Sequence, residues 1–219
     1  MKRVTFYIDG FNFYFGLKST MKLIPGWSRY YWIDIVKLCE SFLGNDQTLV
    51  KVIYFTASPL DKDKNSRQSA FLNANKAING ERFEIVRGRY LNKTILCPFC
   101  NSSISRPEEK KTDVNICLRM IEDCITDTTD VISLVSADSD LLPSIQMINK
   151  FYQDKKVKVY FSPSRFSREI NDYQMQHKSK PIMMIFNEPR FHKAIMPFNV
   201  SNGTKTYIIP EEWKKHFTE

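Results

Sequence analysis

The chain has no run of about 18 apolar residues, so nothing in it reads as a membrane span. The apolar start MKRVTFYID ends at Asp9 without a small-residue cleavage site, which argues against a signal peptide. No glycine-rich phosphate loop and no nucleophile elbow occur, removing two common signatures of nucleotide binding and serine hydrolysis. Histidine is scarce: His177, His192 and His216 all fall in the poorly patterned carboxyl-terminal stretch. Five cysteines, an odd number without a secretion signal, favour a reducing, cytoplasmic setting over a disulfide framework. Cys97-Pro98-Phe99-Cys100 is half of a zinc knuckle, and there is no second CxxC. Zn²⁺ at Cys97 and Cys100 would need ligands from a histidine or from a second copy of the chain.

What is present is ordinary globular material, 42% hydrophobic and 26% charged, and 219 residues suffice for one large domain with appendages. The formal charge is +8, which favours a polyanionic partner. The excess is uneven: 13 of the 32 basic residues but only seven of the 24 acidic ones follow residue 149. A basic last third therefore stands beside a nearly neutral portion with clustered aspartates.

Val4 to Ile8 is apolar throughout, as expected of a central parallel strand covered on both faces. The aromatic stretch FNFYFGL follows without an assigned element, and a helix is predicted from Trp32 to Leu43, stopping at Gly44. A strand over Leu49 to Thr56, a helix over 64–79 and a strand over Arg82 to Arg87 come next. Residues 88–110 have no clear period and are taken as a loop insertion. Thr112 to Ile125 is predicted helical, with Val114, Cys117, Leu118, Ile121, Cys124 and Ile125 on its apolar face. VISLVS, from Val131 to Ser136, is the clearest strand. The helix after it has Pro143 in its first turn, where a missing N–H costs little. Lys156 to Phe161 is a strand and Ser164 to Gln174 a short helix. This alternation predicts a three-layer α/β fold, with helices on both faces of a mostly parallel sheet. Residues 1–178 form the expected domain. Residues 179–219 form an extension, with PIMMIF as an edge strand and a tail held by Ile208, Trp213 and Phe217.

Such a sheet gathers carboxylates. Asp9 follows the first strand, Asp138 and Asp140 follow VISLVS, and Asp113 opens the helix leading into it; ligand crevices of open α/β folds lie at the carboxyl ends of strands. Asp113 shares a stripe with positions 117, 120/121 and 124, in line with the buried face, where an unpaired carboxylate is costly. Each aspartate also has a simpler explanation. Asp113 complements a helix dipole, Asp138 or Asp140 caps a helix, and Asp9 makes a turn with Gly10 and Asn12. One cap would not need two aspartates around Ser139. Three or four aspartates around a cavity suit Mg²⁺ or Mn²⁺, hard ions that take carboxylate oxygens and keep water.

The segments YIDGFNFYFGL, KKTDVNI and VSADSDLLP, in this order, resemble the NYN family, also described as LabA-like or DUF88 proteins, within the PIN-like nuclease superfamily. The resemblance spans roughly residues 1–175. It implies Asp9, Asp113, Asp138 and Asp140 as catalytic, metal-holding residues, with Asn12, Ser136 and Ser139 as accessory groups. Ala137 departs from the SGDSD turn common in such proteins, placing a methyl where backbone approaches phosphate. The implied activity is metal-dependent hydrolysis of RNA or other single-stranded nucleic acid.

Arg87, Arg89, Lys110, Lys111, Arg165 and Arg168 lie near the expected active edge as candidate phosphate contacts. Phe11 and Phe15 are expected to be buried. Trp27, Tyr30 and Tyr31, beside Pro25 and Gly26 in an expected loop, are candidates for base stacking. Two other readings stay open: a non-catalytic nucleic-acid or regulatory module of the same fold, and a metal-dependent hydrolase of a small phosphorylated molecule. Self-association is left open as well.

Overall fold

The computed structural model describes residues 1–100 and 102–217. Strand β1 (Lys2–Asp9) runs directly into helix α1 (Gly10–Leu23), followed by a 3-10 turn (Pro25–Tyr31) and α2 (Ile35–Glu40). Strand β2 (Gln47–Thr56), α3 (Lys62–Asn79) and β3 (Phe83–Arg87) come next, then β4 (Arg89–Leu96) and β5 (Ser103–Lys110). The alternation resumes with α4 (Thr112–Ile125), β6 (Val131–Val135), α5 (Leu142–Phe151), β7 (Lys156–Phe161) and α6 (Arg168–Gln176). The remainder holds β8 (Ile182–Met183), α7 (Glu188–Lys193), β9 (Asn199–Ser201), β10 (Thr206–Ile208) and α8 (Glu211–Lys214).

Six strands form one sheet in the order β3-β2-β1-β6-β7-β8. Every pairing within it is parallel. The chain steps outward from β1 through β2 to β3, then returns to the other side of β1 as β6. This reversal opens a crevice at the carboxyl ends of β1 and β6. Both faces are covered, giving the expected three-layer α/β arrangement. Along β1, Val4, Phe6 and Ile8 point into a core with Phe13, Leu17, Val36 and Leu72 from α1, α2 and α3. Tyr7 points the other way, into a core with Ile116, Met120, Ile145 and Ile170 from α4, α5 and α6. Period-two alternation along one strand thus feeds two separate helix layers.

Several expectations need correction. FNFYFGL is the start of a helix: Asp9 caps it, and Phe13, Gly16, Leu17 and Thr20 bury one helical stripe. Residues 88–110 are no loop. They form an antiparallel hairpin in register from Arg89↔Lys110 to Leu96↔Ser103. The described side chains of its strands are exposed or half-buried, with no buried face among them to impose an alternating pattern. Helix α4 is rotated from its expected face, burying Ile116, Met120 and Cys124 while Val114, Leu118 and Ile125 stay exposed. The rotation takes Asp123 inside, where its carboxylate accepts a 2.7 Å hydrogen bond from Tyr7 Oη and pairs with Arg119. The helix predicted from Ser164 starts at Arg168, with Ser167 as its cap. In the tail, Trp213 packs inside and Phe217 lies half-buried against the core, but Ile209 goes in where Ile208 was expected.

The aromatic assignments invert. Trp27, Tyr30 and Tyr31 are buried: Trp27 meets Tyr30 edge-to-face and packs against Phe191, and Tyr31 stacks on Trp213. Phe11 is half-buried and Phe15 is 43% exposed. The 3-10 turn faces the carboxyl-terminal segment, which covers its rings, whereas Phe11 and Phe15 stand on the open side of α1.

Candidate metal centre

Three chain segments build the site. Asp9 ends β1 and caps α1, its Oδ1 accepting from Asn12 N–H at 2.9 Å. Asp138 follows β6 and caps a 3-10 turn, its Oδ1 accepting from Asp140 N–H at 3.0 Å. Asp113 is the second residue of α4. One carboxylate oxygen from each of the three lies within 4.8 Å of the others. Capping and convergence are therefore compatible, since capping occupies one oxygen of Asp9 and one of Asp138. Ser136 joins the two strands' ends: its Oγ donates to Asp9 Oδ2 at 2.8 Å and accepts from Asp138 N–H at 3.0 Å. Asp140 is exposed and outside the trio, and Ser139 is half-buried on the same turn.

The hairpin brings a carboxylate that sequence reasoning missed. Glu109, near the end of β5, accepts hydrogen bonds from Thr112 N–H and Thr112 Oγ1 and so caps α4. It lines the same crevice of about 360 Å³ as Asp9, Asn12, Asp113, Asp138 and Arg165, and Tyr90 of β4 lines it too. Gly88 permits this. A Cβ there would stand 2.6 Å from Thr112 Oγ1 and 2.7 Å from Lys110 O, so the hairpin stem closes onto α4 only with glycine. The signal in the sequence was Glu109 three residues before Thr112, once the segment is read as a strand.

The electrostatics favour a cation. Burial pushes the Asp9 carboxyl up, against hydrogen bonds from Asn12 and Ser136, which favour its charged form. Asp113 is pushed up to about 6, first by burial, then by the charges of Asp9, Asp138, Glu109 and Asp140. Asn12 Oδ1 is buried with no partner among the described residues, leaving a neutral oxygen unpaired beside the carboxylates. Hard oxygen donors, mutual repulsion and an orphaned acceptor fit a divalent ion such as Mg²⁺ or Mn²⁺.

The model of the NYN domain matches residues 3–177. The chain belongs to the NYN domain family. The 6-hydroxy-3-succinoylpyridine 3-monooxygenase HspA of Pseudomonas putida is similar to it, 27% identical over 96% of this chain and 75% of its own length. A solved protein of unknown function from Vibrio parahaemolyticus shares the fold, with a TM-score of 0.50 and 19% identity over 78% of this chain and 88% of its own.

Around the trio of this NYN domain, the basic candidates divide. Arg165 reaches the crevice, and its Nε is buried without a partner among the described residues. Gly16 on α1 makes room for that segment, since a Cβ would lie 2.6 Å from Pro163 O and 3.3 Å from Arg165 Cγ. Arg87 donates to Ser58 Oγ at 2.8 Å, and Lys110 pairs with Glu108 at 2.9 Å. Arg89 is exposed at the hairpin stem, Lys111 precedes α4 with φ of 79°, and Arg168 is exposed at the start of α6. Cys97 and Cys100 sit at the far end of the hairpin from these groups. Among the described residues, no third cysteine, histidine or carboxylate joins them within ligand reach. Among the described residues, no helix is long and apolar enough to cross a membrane.

Proposed function

We propose that the protein is a divalent-metal-dependent ribonuclease that hydrolyses phosphodiester bonds in the crevice at the ends of β1 and β6. The observation that carries this reading is the convergence of Asp9, Asp113 and Asp138 within 4.8 Å from three distant segments. Membership of the NYN family supports a nuclease, and the formal charge of +8 favours a polyanionic substrate.

Mg²⁺ or Mn²⁺, when bound, supplies Lewis acidity to the phosphate and lowers the pKa of coordinated water. Asp9, Asp113 and Asp138 would hold it. Ser136 and the Asn12 N–H fix the Asp9 carboxylate, as outer partners orient ligands generally. Asp140, exposed beside Asp138, orients the attacking water, and Ser139 shapes the turn that carries both. Arg165 neutralises phosphate oxygens within the crevice, while Lys111, Arg168, Arg87, Arg89 and Lys110 extend the path of the strand. With no titrating histidine needed, the reaction runs on a positioned water and fixed charge.

The test is incubation of wild type and the Asp138→Asn variant with single-stranded RNA, duplex RNA and DNA, with and without Mn²⁺ or Mg²⁺. Metal-dependent RNA cleavage that falls at least about a hundredfold in the variant, while the melting temperature holds, is the expected result. Undiminished cleavage by a clean preparation of the variant overturns the assignment. A second reading rests on the Pseudomonas putida relative, named for a substituted hydroxypyridine. On that reading the crevice serves a small heteroaromatic molecule, and no RNA is cut under any metal condition.

A further inference from the structure

Next to the carboxylate crevice lies a second space, a cavity of about 260 Å³ between α1, the 3-10 turn, α3 and β4. Phe11, Phe15 and Tyr90 form walls of both spaces, so the two adjoin. Hydrolysis as described makes no use of it. Its rings are placed unlike those of a closed core. Tyr30 and Tyr31 are buried to 2% and 8% exposure, while Tyr14 and Phe15 stay 37% and 43% exposed on the helix that Asp9 caps. Apolar ring surface left in water is unfavourable, and a flat ligand against it would recover part of that cost.

One polar group in the cavity wall is unsatisfied. Gln68 Nε2 donates to Thr56 Oγ1 at 2.9 Å and to Ala57 O at 3.2 Å, which fixes the orientation of the amide. Gln68 Oε1 is then left buried with no partner among the described residues. A buried acceptor without a donor is costly, and a small shift of the Gln68 side chain would present it to an N–H of a ligand in the cavity. Lys64 and Arg67 line the same space, the latter also paired with Glu212. The cavity is smaller than the roughly 300–1,000 Å³ of pockets for drug-sized ligands, so it takes one small ring system.

A flat ring with an N–H on its edge, joined to an anion that reaches the neighbouring crevice, is a nucleotide. We propose that this cavity is a subsite for a single unpaired nucleobase, which stacks on Phe15, meets Tyr14 edge-on and donates an N–H to Gln68 while its phosphate extends toward Asp9, Asp113 and Asp138. The identity of the ring rests on the nuclease reading; binding in the cavity does not require cleavage. A base within a duplex has its N–H edge paired and both faces stacked, so the site selects single strands or extruded bases.

The experiment is equilibrium binding, without added divalent metal, of a single-stranded RNA hexamer and of six hexamers each with one abasic position. Wild type is expected to lose about tenfold in affinity at one position, the size of one base stacked on aromatic rings. Phe15→Ala, at an exposed position that leaves the core intact, is expected to lose as much on the intact hexamer and to become indifferent to that abasic position. Gln68→Met, with folding checked by thermal melting, is expected to behave likewise; if it unfolds, Phe15→Ala decides. Equal affinity for all seven hexamers, no hexamer binding, or a position-dependent loss retained in Phe15→Ala overturns the proposal. So does a free 2-pyridone ring that binds in a Phe15-dependent way without competing with the hexamer. Because cleavage is not measured, an inactive but base-selective protein would sink the hydrolytic reading and leave this one standing.

Discussion

At the scale of single residues, Asp113 decides how the site responds to pH. Its carboxyl rests at about 6, above an unfolded value near 3.9, so the folded chain holds this proton more tightly than the unfolded one. For the metal-free protein, the contribution is fully stabilising below about pH 4 and is lost as pH rises through about 6, where a charge is released among Asp9, Asp138 and Glu109. A divalent cation reverses the sense, since it binds only the deprotonated set. Thermal melting with and without Mn²⁺ should show a large metal-induced shift at pH 7.5 that shrinks below pH 6. In Asp113→Asn the metal-free protein should gain stability at pH 7.5 but not at pH 4. Equal metal shifts at pH 5 and 7.5 would count against the centre. Ser136 is a milder test: Ser136→Ala frees Asp9 Oδ2 and should weaken metal affinity about 10–100-fold, read by titration calorimetry.

Among the elements, α1 carries most of the functional geometry, and two glycines allow it. At Gly10 a Cβ would stand 2.5 Å from Tyr54 Cε1 and 2.6 Å from Phe55 O, so the helix leaves β1 in direct contact with β2. Gly10→Ala should push the helix start off the sheet and displace Asp9. The expected cost is about 1–3 kcal/mol in denaturant unfolding, with cleavage falling further than stability alone explains. Activity unchanged in a stable Gly10→Ala protein would show that α1 need not be seated this closely. The helix itself was hidden in the sequence by its aromatic composition, because Phe and Tyr carry strand preference. Its burial at 13, 16, 17 and 20 follows helical spacing, and two of those positions are Gly and Thr, which a search for apolar residues passes over. The hairpin of β4 and β5 was hidden for the opposite reason: its strands carry no apolar alternation, and only partner registration defines them.

For the whole molecule, charge sets the range of the interaction. An excess of base over acid predicts RNA binding whose logarithm falls linearly with the logarithm of salt, by about 0.7 per phosphate engaged on a single strand. Lys111→Ala and Arg168→Ala should each lower that slope by roughly 0.7 while weakening all sequences alike, measured by fluorescence anisotropy between 50 and 200 mM salt. A flat salt response would favour a small ligand over a polymer.

The sequence alone determined the parallel sheet, the two helix layers and the segments that bear Asp9, Asp113 and Asp138, because strand-and-helix alternation and the position of polar residues at strand ends are local properties. Tertiary structure decided what depends on meeting across the chain. It set the face of α4 that packs, since Asp123 is tolerable inside only with Tyr7 and Arg119 at hand. It brought Glu109 to the carboxylate crevice through the hairpin, and it chose which aromatic rings were covered by the carboxyl-terminal segment and which were left open to solvent. A residue's environment is made by neighbours distant in sequence, and no window along the chain contains them.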